Sequence, residues 1–134
     1  MTAYKPLLCL DFDGVIHSYT SGWRGADVVP DPPVPGAIAF LRDAVKRFRV
    51  AIFSSRSNQA GGLTAMAEWL GYHVLNERMS DDEDLAWASA IEWPTEKPAA
   101  MVTIDDRAIT FDGTWPALET LLAFQPWNKK GPAA

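Results

Sequence analysis

The 134-residue sequence has a single cysteine, no excess of basic residues and no long hydrophobic run. Cys9 alone cannot form an internal disulfide or supply a thiolate zinc site, so a reducing compartment is compatible with it. Twelve Lys and Arg residues against 17 Asp and Glu give a formal net charge of −5, which argues against a broad polyanion-binding surface. No apolar run approaches the roughly 20 residues of a membrane helix, and the run at 6–10 is too short for a signal-peptide core. We therefore expect a cytoplasmic protein without a membrane partner.

Strand and helix patterns alternate along the chain, whose composition (48% hydrophobic, 22% charged) and length fit one domain over residues 1–134. Apolar runs predict strands at 7–12, 49–53, 72–75, 100–104 and 108–111. Amphipathic spacing and start signals predict helices beginning near residues 35, 63, 81 and 114. This order predicts an α/β fold, a three-layer, Rossmann-like open parallel sheet with helices on both faces.

Two segments do not fit that alternation. Residues 15–34 are rich in Gly and Pro and contain Tyr19 and Trp23. We expect this segment to form a flap, part hairpin and part loop, with a function of its own, because structureless loops of this length are uncommon in small domains. The tail at 126–134 is expected to be loose.

Carboxylate and hydroxyl side chains follow three of the predicted strands. Asp11 and Asp13 follow the first strand, Ser54 the second, and Asp105 and Asp106 a later one. Because the carboxyl ends of parallel strands meet at one edge of the sheet, we expect these groups to converge. At an effective dielectric constant near 20, two carboxylates ~4 Å apart repel by about 4 kcal/mol, so such a cluster implies a cation. All-oxygen ligands suit Mg²⁺ better than Zn²⁺.

Each of these motifs also has an ordinary structural interpretation. An Asp-x-Asp-Gly string is often only a turn, a Ser-Ser pair after a strand usually caps a helix, and an Asp-Asp pair at a strand end is often solvated. Their occurrence together, in this order and each at a strand end, favours a common site. An EF-hand is excluded, because Val15 and Gly22 occupy the loop positions five and twelve, where calcium ligands are needed.

Four short strings in this order resemble the motifs of the haloacid dehalogenase (HAD) superfamily. The first reads LCLDFDGV at 8–15, the second reads IFS at 52–54, the third is Lys97 before a proline, and the fourth reads IDD at 104–106. The resemblance spans residues 7 to about 125. The longer strings FSSR at 53–56 and IDDR at 104–107 are most similar to the phosphatase domains of polynucleotide kinase-phosphatases and to related small bacterial or phage hydrolases.

The resemblance implies a phosphatase that forms an aspartyl-phosphate intermediate. Asp11 would be the nucleophile and Asp13 the general acid and base. Ser54 and Lys97 would bind the transferring phosphoryl group. Magnesium would be held by four aspartates, of which Asp13 contributes its main-chain oxygen: Asp11, Asp13, Asp105 and Asp106.

Further residues near the motifs are candidates for substrate binding, namely Gly14, Ser55, Arg56, His17, Trp23 and Arg24. Ser55 competes with Ser54 for the second motif, and we favour Ser54 because the string SSR resembles the Ser-Gly-Arg of the family. We expect His17 to be a hydrogen-bond donor of the flap rather than an extra acid or base. For Arg56 and Arg107, a structural ion pair is favoured over a substrate contact.

The intervals between the motifs leave no room for a cap domain. Forty residues separate Asp13 from Ser54, and 42 separate Ser54 from Lys97. The flap and the predicted helices and strands fill both intervals. We therefore expect an open cleft that admits bulky substrates or that a neighbouring subunit of an oligomer shields.

The expected function is the Mg²⁺-dependent hydrolysis of a phosphomonoester whose identity the sequence does not give. A second hypothesis is a polynucleotide 3′-phosphatase-like enzyme that processes ends, with nucleic acid only as a substrate. Hypotheses of a different class are a non-catalytic phosphate- or metal-binding module, a receiver-like domain and a nuclease. A receiver would carry its phosphoacceptor aspartate after a middle strand, whereas here Ser54 follows that strand, and a nuclease would not need Ser54.

Overall fold

The computed structural model describes residues 4–129, and its centre is a three-stranded parallel sheet. The strands are β1 (Leu7–Leu10), β2 (Arg49–Ile52) and β3 (Val102–Ile104), in the spatial order β2-β1-β3. Leu10 at the end of β1 is aligned with Ile52 on one side and with Ile104 on the other. The predicted α/β class with an open parallel sheet is therefore confirmed, and the carboxyl ends of all three strands lie at one edge.

Helices connect and follow these strands. They are α1 (Ala37–Ala44), α2 (Gly62–Asn76) and α3 (Leu118–Leu122), with short 3₁₀ turns at Ala86–Ala90 and Trp127–Lys129. Part of each predicted apolar stripe is buried, Ile38 and Leu41 in α1 and Met66 and Leu70 in α2, whereas α3 has no buried residue. The core consists of buried side chains from β1, β2, α1, α2 and the turns beside them, including Leu8, Leu10, Phe12, Ile38, Leu41, Val50, Ile52, Met66, Trp69 and Leu70.

Two of the predicted strands are wrong. The segment 72–75 is the last turn of α2, because Val74 continues the buried helical stripe four residues after Leu70 and Gly71 does not end the helix. The segment 108–111 is irregular and exposed, and it pairs with no strand of the described sheet. The helix expected from residue 81 is reduced to the short 3₁₀ turn at Ala86–Ala90.

The flap, which was expected to be part hairpin and part loop, is a loop with a narrow antiparallel base. Two main-chain hydrogen bonds form this base, from Ser18 N to Pro32 O (2.9 Å) and from Val34 N to Ile16 O (2.8 Å). The ladder does not extend further along the opposite chain, where prolines at positions 30, 32 and 33 have no N–H to donate. Side-chain contacts therefore determine the position of the flap.

The part of the predicted loose tail that the structure describes is attached to the flap. The Trp127 indole Nε1 donates to the main-chain oxygen of Gly14 (2.7 Å), and Asn128 Nδ2 donates to that of Ser18 (2.9 Å). The rest of the tail, residues 130–134, lies outside the described residues. Among residues 4–129, no helix combines the length and the apolar character needed to cross a bilayer.

Candidate active site

The register of the sheet brings the residues after each strand to a common edge. The main-chain N–H of Asp11 donates to Ile104 O (2.9 Å), and that of Phe53 donates to Leu10 O (3.0 Å). These two bonds continue the parallel ladders by one residue beyond the strands. As a result, Asp11 lies between the chain that carries Ser54 and the chain that carries Asp105.

A cavity of about 200 Å³ opens at this edge. Its lining contains the first aspartate, both serines of the second motif, the lysine and one aspartate of the fourth motif: Asp11, Ser54, Ser55, Lys97 and Asp105. The structure thus brings together residues from four separate strings of the sequence. Asp13, Arg56 and the flap residues do not line this cavity.

Three carboxylates form an acidic group beside the cavity. Asp11, Asp105 and Asp106 each place one carboxylate oxygen within 4.8 Å of the others. Gly14 leaves room for the Asp106 carboxylate, because a side chain at position 14 would collide with it. The φ of +83° at position 14 also favours glycine. The Asp106 Oδ1 atom is buried and has no hydrogen-bond partner among residues 4–129.

The electrostatics of this group fit a divalent cation. Burial, a hydrogen bond with the Asp106 carboxyl and the charge of Asp105 raise the pKa of Asp11 to about 8, although the Phe12 N–H (2.9 Å from Asp11 Oδ1) acts in the opposite direction. Asp11 is therefore protonated at neutral pH unless a positive charge offsets its neighbours. The three carboxylates, one of which has an unpartnered buried oxygen, form a hard, all-oxygen donor set, so these residues fit Mg²⁺.

Asp13 lies outside the acidic group, and its carboxylate is held from two sides. Arg56 Nε donates to both of its oxygens (2.9 and 3.2 Å), and His17 Nδ1 lies 2.9 Å from Oδ1. Its side chain is thus not positioned as a metal ligand. The metal contact that the resemblance assigns to its main-chain oxygen stays a prediction.

Arg56 forms the structural ion pair expected of it, with Asp13. Its side chain is completely buried. Besides the pair with Asp13, its Nη1 donates to three main-chain oxygens of the flap, at Gly25, Ala26 and Val28 (2.9 to 3.0 Å). One guanidinium therefore links the second motif, the first motif and the flap. Arg107, in contrast, makes no ion pair within the described part of the chain.

The structure places Gly14 and His17, two of the substrate-binding candidates, in contacts within the protein. The Gly14 N–H donates to His17 O (2.8 Å) and the Gly14 carbonyl accepts from Trp127, so both of its polar groups are engaged. The His17 side chain is 0% exposed. Both residues organise the flap behind the site. The expectation that His17 is a hydrogen-bond donor of the flap agrees with its position beside Asp13.

Trp23 and Arg24 remain candidate substrate residues at the outer side of the flap. The Trp23 ring is 48% exposed, and its centroid lies 4.8 Å from the Arg56 guanidinium carbon, so the ring covers the buried ion pair. Arg24 is exposed and forms no side-chain hydrogen bond or ion pair with residues 4–129. Both side chains can meet a molecule that approaches from solvent.

The two serines of the second motif differ in their surroundings. Ser54 is buried, its Oγ accepts from the Arg56 N–H (3.2 Å), and its own N–H donates to Ser57 Oγ (2.9 Å). Because the Ser54 oxygen is held as an acceptor, its hydroxyl proton is free to point into the cavity. Ser55 is exposed, and Lys97, which also lines the cavity, makes no ion pair with residues 4–129.

Sequence reasoning missed two residues that organise the flap. Asp31 is buried, accepts from the Ser21 N–H (2.8 Å) and Oγ (2.6 Å), and donates its own N–H to His17 Nε2 (3.0 Å). Trp127 lies so near the end of the chain that its sequence context indicates no role. The one signal in the sequence is a lone carboxylate within an apolar, proline-rich run, at Asp31.

Comparisons of this chain with protein-family models, with curated proteins and with solved structures found no match.

Proposed function

We propose that this chain is a Mg²⁺-dependent phosphomonoester hydrolase of the HAD superfamily, with the three-layer, capless fold of that family and Asp11 as its nucleophile. The observation that carries the proposal is the convergence of Asp11, Ser54, Lys97 and Asp105 on one cavity at the carboxyl edge of the sheet. A nucleophile, a hydrogen-bond donor to the phosphoryl group, a cation and an acidic ligand set are the parts that phosphoryl transfer needs.

In the first step, an Asp11 carboxylate oxygen attacks phosphorus, and the bond from phosphorus to the ester oxygen breaks. Asp13 donates a proton to the departing oxygen. In the second step, a water oxygen attacks the phosphorus of the aspartyl-phosphate, Asp13 accepts the proton of the water, and the bond from phosphorus to Asp11 breaks. Inorganic phosphate leaves, and both aspartates return to their starting states.

Ser54 and Lys97 act on the charge that develops on the phosphoryl oxygens. Both residues line the cavity, where the Ser54 hydroxyl donates a hydrogen bond to the phosphoryl group and the Lys97 ammonium contributes positive charge. Since Lys97 has no competing ion pair in residues 4–129, its charge is available to a bound phosphate.

Asp11, Asp105 and Asp106 would hold the Mg²⁺ ion. When bound, the ion supplies the positive charge that favours ionised Asp11 and offsets the charge of the phosphoryl group. The raised pKa of Asp11 supports this requirement, because a protonated carboxyl is not a nucleophile. The unpartnered Asp106 Oδ1 supports it independently.

Processing of nucleic-acid ends is the second candidate function. The exposed Trp23 ring, placed over the Arg56–Asp13 pair, favours a leaving group with a flat ring that could stack on it. The net charge of −5 is more compatible with binding one end of a nucleic acid than with binding a long stretch of it.

The proposal is tested by hydrolysis of p-nitrophenyl phosphate with and without Mg²⁺. We expect activity in the unmodified chain, its loss on chelation, and its loss in Asp11→Asn. The matched control is Asp43→Asn, an exposed aspartate on α1 paired only with Lys46, which should keep full activity. Full activity in Asp11→Asn, or hydrolysis that survives chelation, would overturn the mechanism. A panel of phosphorylated metabolites and 3′-phosphorylated oligonucleotides then separates the two candidate functions.

A further inference from the structure

The His17 imidazole occupies a closed position between the flap and the first motif. Its ring stacks on Phe12 (centroids 5.5 Å apart, planes at 22°) and meets the Trp69 ring edge-on at 5.4 Å. The side chain has no exposed surface. The His17 side chain therefore does not reach solvent, and it acts on the site through its neighbours.

The hydrogen bonds of the ring determine its tautomer. The main-chain N–H of Asp31 points at Nε2 (3.0 Å), and an N–H group can only donate, so Nε2 must be the unprotonated acceptor. The Asp31 carboxylate oxygens accept from Ser21 instead, and Oδ2 lies 3.7 Å from Nε2. The proton of the neutral ring is consequently on Nδ1, which donates to Asp13 Oδ1 at 2.9 Å.

The Asp13 carboxylate thus has two donors that come from different parts of the chain. Arg56 follows β2, whereas His17 lies in the flap and is fixed from behind by Asp31. With Arg56 as its only donor, the Asp13 carboxylate could rotate about the Arg56 Nε atom, because that one nitrogen contacts both carboxylate oxygens. The second donor, on Oδ1, removes this freedom.

We propose that His17 is a positioning residue for Asp13, with its Nδ1–H held towards the carboxylate by the main-chain N–H of Asp31. The inference rests on the proposed function for the proton transfers that Asp13 carries out. Within residues 4–129, His17 forms no hydrogen bond or ion pair with the cavity residues Asp11, Ser54 and Lys97. Its loss therefore affects the proton transfers and leaves the binding of phosphate and metal in place.

Two substitutions that disturb the packing of the ring to a similar degree distinguish a positioning role of His17 from a purely structural one. Both His17→Asn and His17→Gln remove the ring. The Asn amide nitrogen falls near the position of Nδ1 and can donate to Asp13, whereas the longer Gln amide reaches the position of Nε2, faces Asp31 and leaves Asp13 without its second donor.

For p-nitrophenyl phosphate, we expect kcat of His17→Gln to fall by about tenfold or more, because proton transfer by a positioned group contributes ~10²–10⁴ to a rate. KM should fall with kcat, so that kcat/KM stays within about twofold, because kcat/KM of a two-step reaction does not depend on the rate of the second step. His17→Asn should keep kcat within about threefold. Since p-nitrophenolate leaves without a proton, His17→Gln should slow mainly the water step. Rapid mixing should then show a burst of p-nitrophenolate equal to the enzyme concentration. Equal losses in the two variants, or no loss in His17→Gln, would overturn the proposal.

Nitrogen-15 NMR of the imidazole gives a reading that needs no activity. We expect the Nδ1–H tautomer in the unmodified chain, and a shift of the Nδ1 proton resonance in Asp13→Asn but not in Asp43→Asn. An Nε2–H tautomer, or an Nδ1 proton unaffected by Asp13→Asn, would contradict the inference. If the unmodified chain had no Mg²⁺-dependent activity, the proposed function would fail, and the NMR result would still decide whether His17 holds Asp13.

Discussion

The Trp127 indole donates a 2.7 Å hydrogen bond to the main-chain oxygen of Gly14, 113 residues earlier in the chain. Gly14 directly follows Asp13, and its lack of a side chain lets Asp106 approach. The segment at 127–129 therefore supports the turn that carries Asp13, the proposed acid-base residue, and that lies beside the acidic group. Trp127 also lines a small surface cavity with Asp105 and Asp106, next to the candidate metal ligands.

Trp127→Phe should destabilise the protein and lower its activity together. The substitution keeps an aromatic ring and removes one hydrogen bond, which costs about 1 kcal/mol. Thermal unfolding measures the first effect and p-nitrophenyl phosphate hydrolysis the second. Trp115→Phe is the matched control, because Trp115 is 83% exposed and has no hydrogen bond in residues 4–129. Equal behaviour of the two variants would contradict the supporting role of Trp127.

Arg56→Lys should lower the free energy of unfolding by about 3–5 kcal/mol, because it leaves the buried Asp13 pair broken. A lysine also cannot donate simultaneously to Asp13 and to the three flap carbonyls that Nη1 reaches. Urea unfolding measures the change. Arg47→Lys, at an exposed position on the surface, is the control and should be unchanged within about 0.5 kcal/mol. A similar small effect at Arg56 would show that the flap does not depend on this guanidinium.

Without metal, the stability of the protein should fall as the pH rises from about 4 to about 8. The pKa of Asp11 is about 8 in the folded state, against an ordinary value of 3.8 in the unfolded chain, so in this window the folded state retains a proton that the unfolded state has lost. The slope contributed by this residue is at most about 1.4 kcal/mol per pH unit. Unfolding in the presence of a chelator measures it. Asp11→Asn should remove the slope and stabilise the metal-free protein at pH 8, whereas Asp43→Asn should retain the slope.

Ser54→Ala should reduce kcat/KM by about 10²–10³, the usual cost of losing one donor to a developing negative charge. Ser55→Ala should have a much smaller effect, because Ser55 is exposed and its hydroxyl is not oriented by a neighbouring N–H. Steady-state kinetics on p-nitrophenyl phosphate compares the two, with thermal unfolding to confirm that both variants fold. A larger loss of kcat/KM in Ser55→Ala than in Ser54→Ala would assign the second-motif role to Ser55.

The convergence of the site was predictable from the sequence, and its supporting contacts were not. Asp11, Ser54 and Asp105 follow apolar runs that form parallel strands, so the topology alone places them at one edge. The strand expected at 72–75 was wrong because a short apolar run fits the buried face of a helix equally well, as Val74 shows.

The flap resisted prediction for a physical reason. The roles of His17 and Asp31 depend on the direction of a main-chain N–H in a proline-rich loop. Hydrophobic periodicity in the sequence contains no information about that direction. The attachment of Trp127 depends on a contact between distant parts of the chain. The prediction of Arg56 as an ion-pair partner is confirmed, but its three bonds to flap carbonyls follow from the path of the loop and not from the motif.

The most direct test of the central claim is chemical trapping of the phosphorylated intermediate. The protein is mixed with Mg²⁺ and p-nitrophenyl phosphate, quenched and treated with borohydride, which reduces an aspartyl-phosphate to homoserine, and the modified position is identified by peptide mass spectrometry. We expect homoserine at position 11, dependent on both Mg²⁺ and substrate. Active turnover with an unmodified Asp11, or modification of a different aspartate, would contradict it.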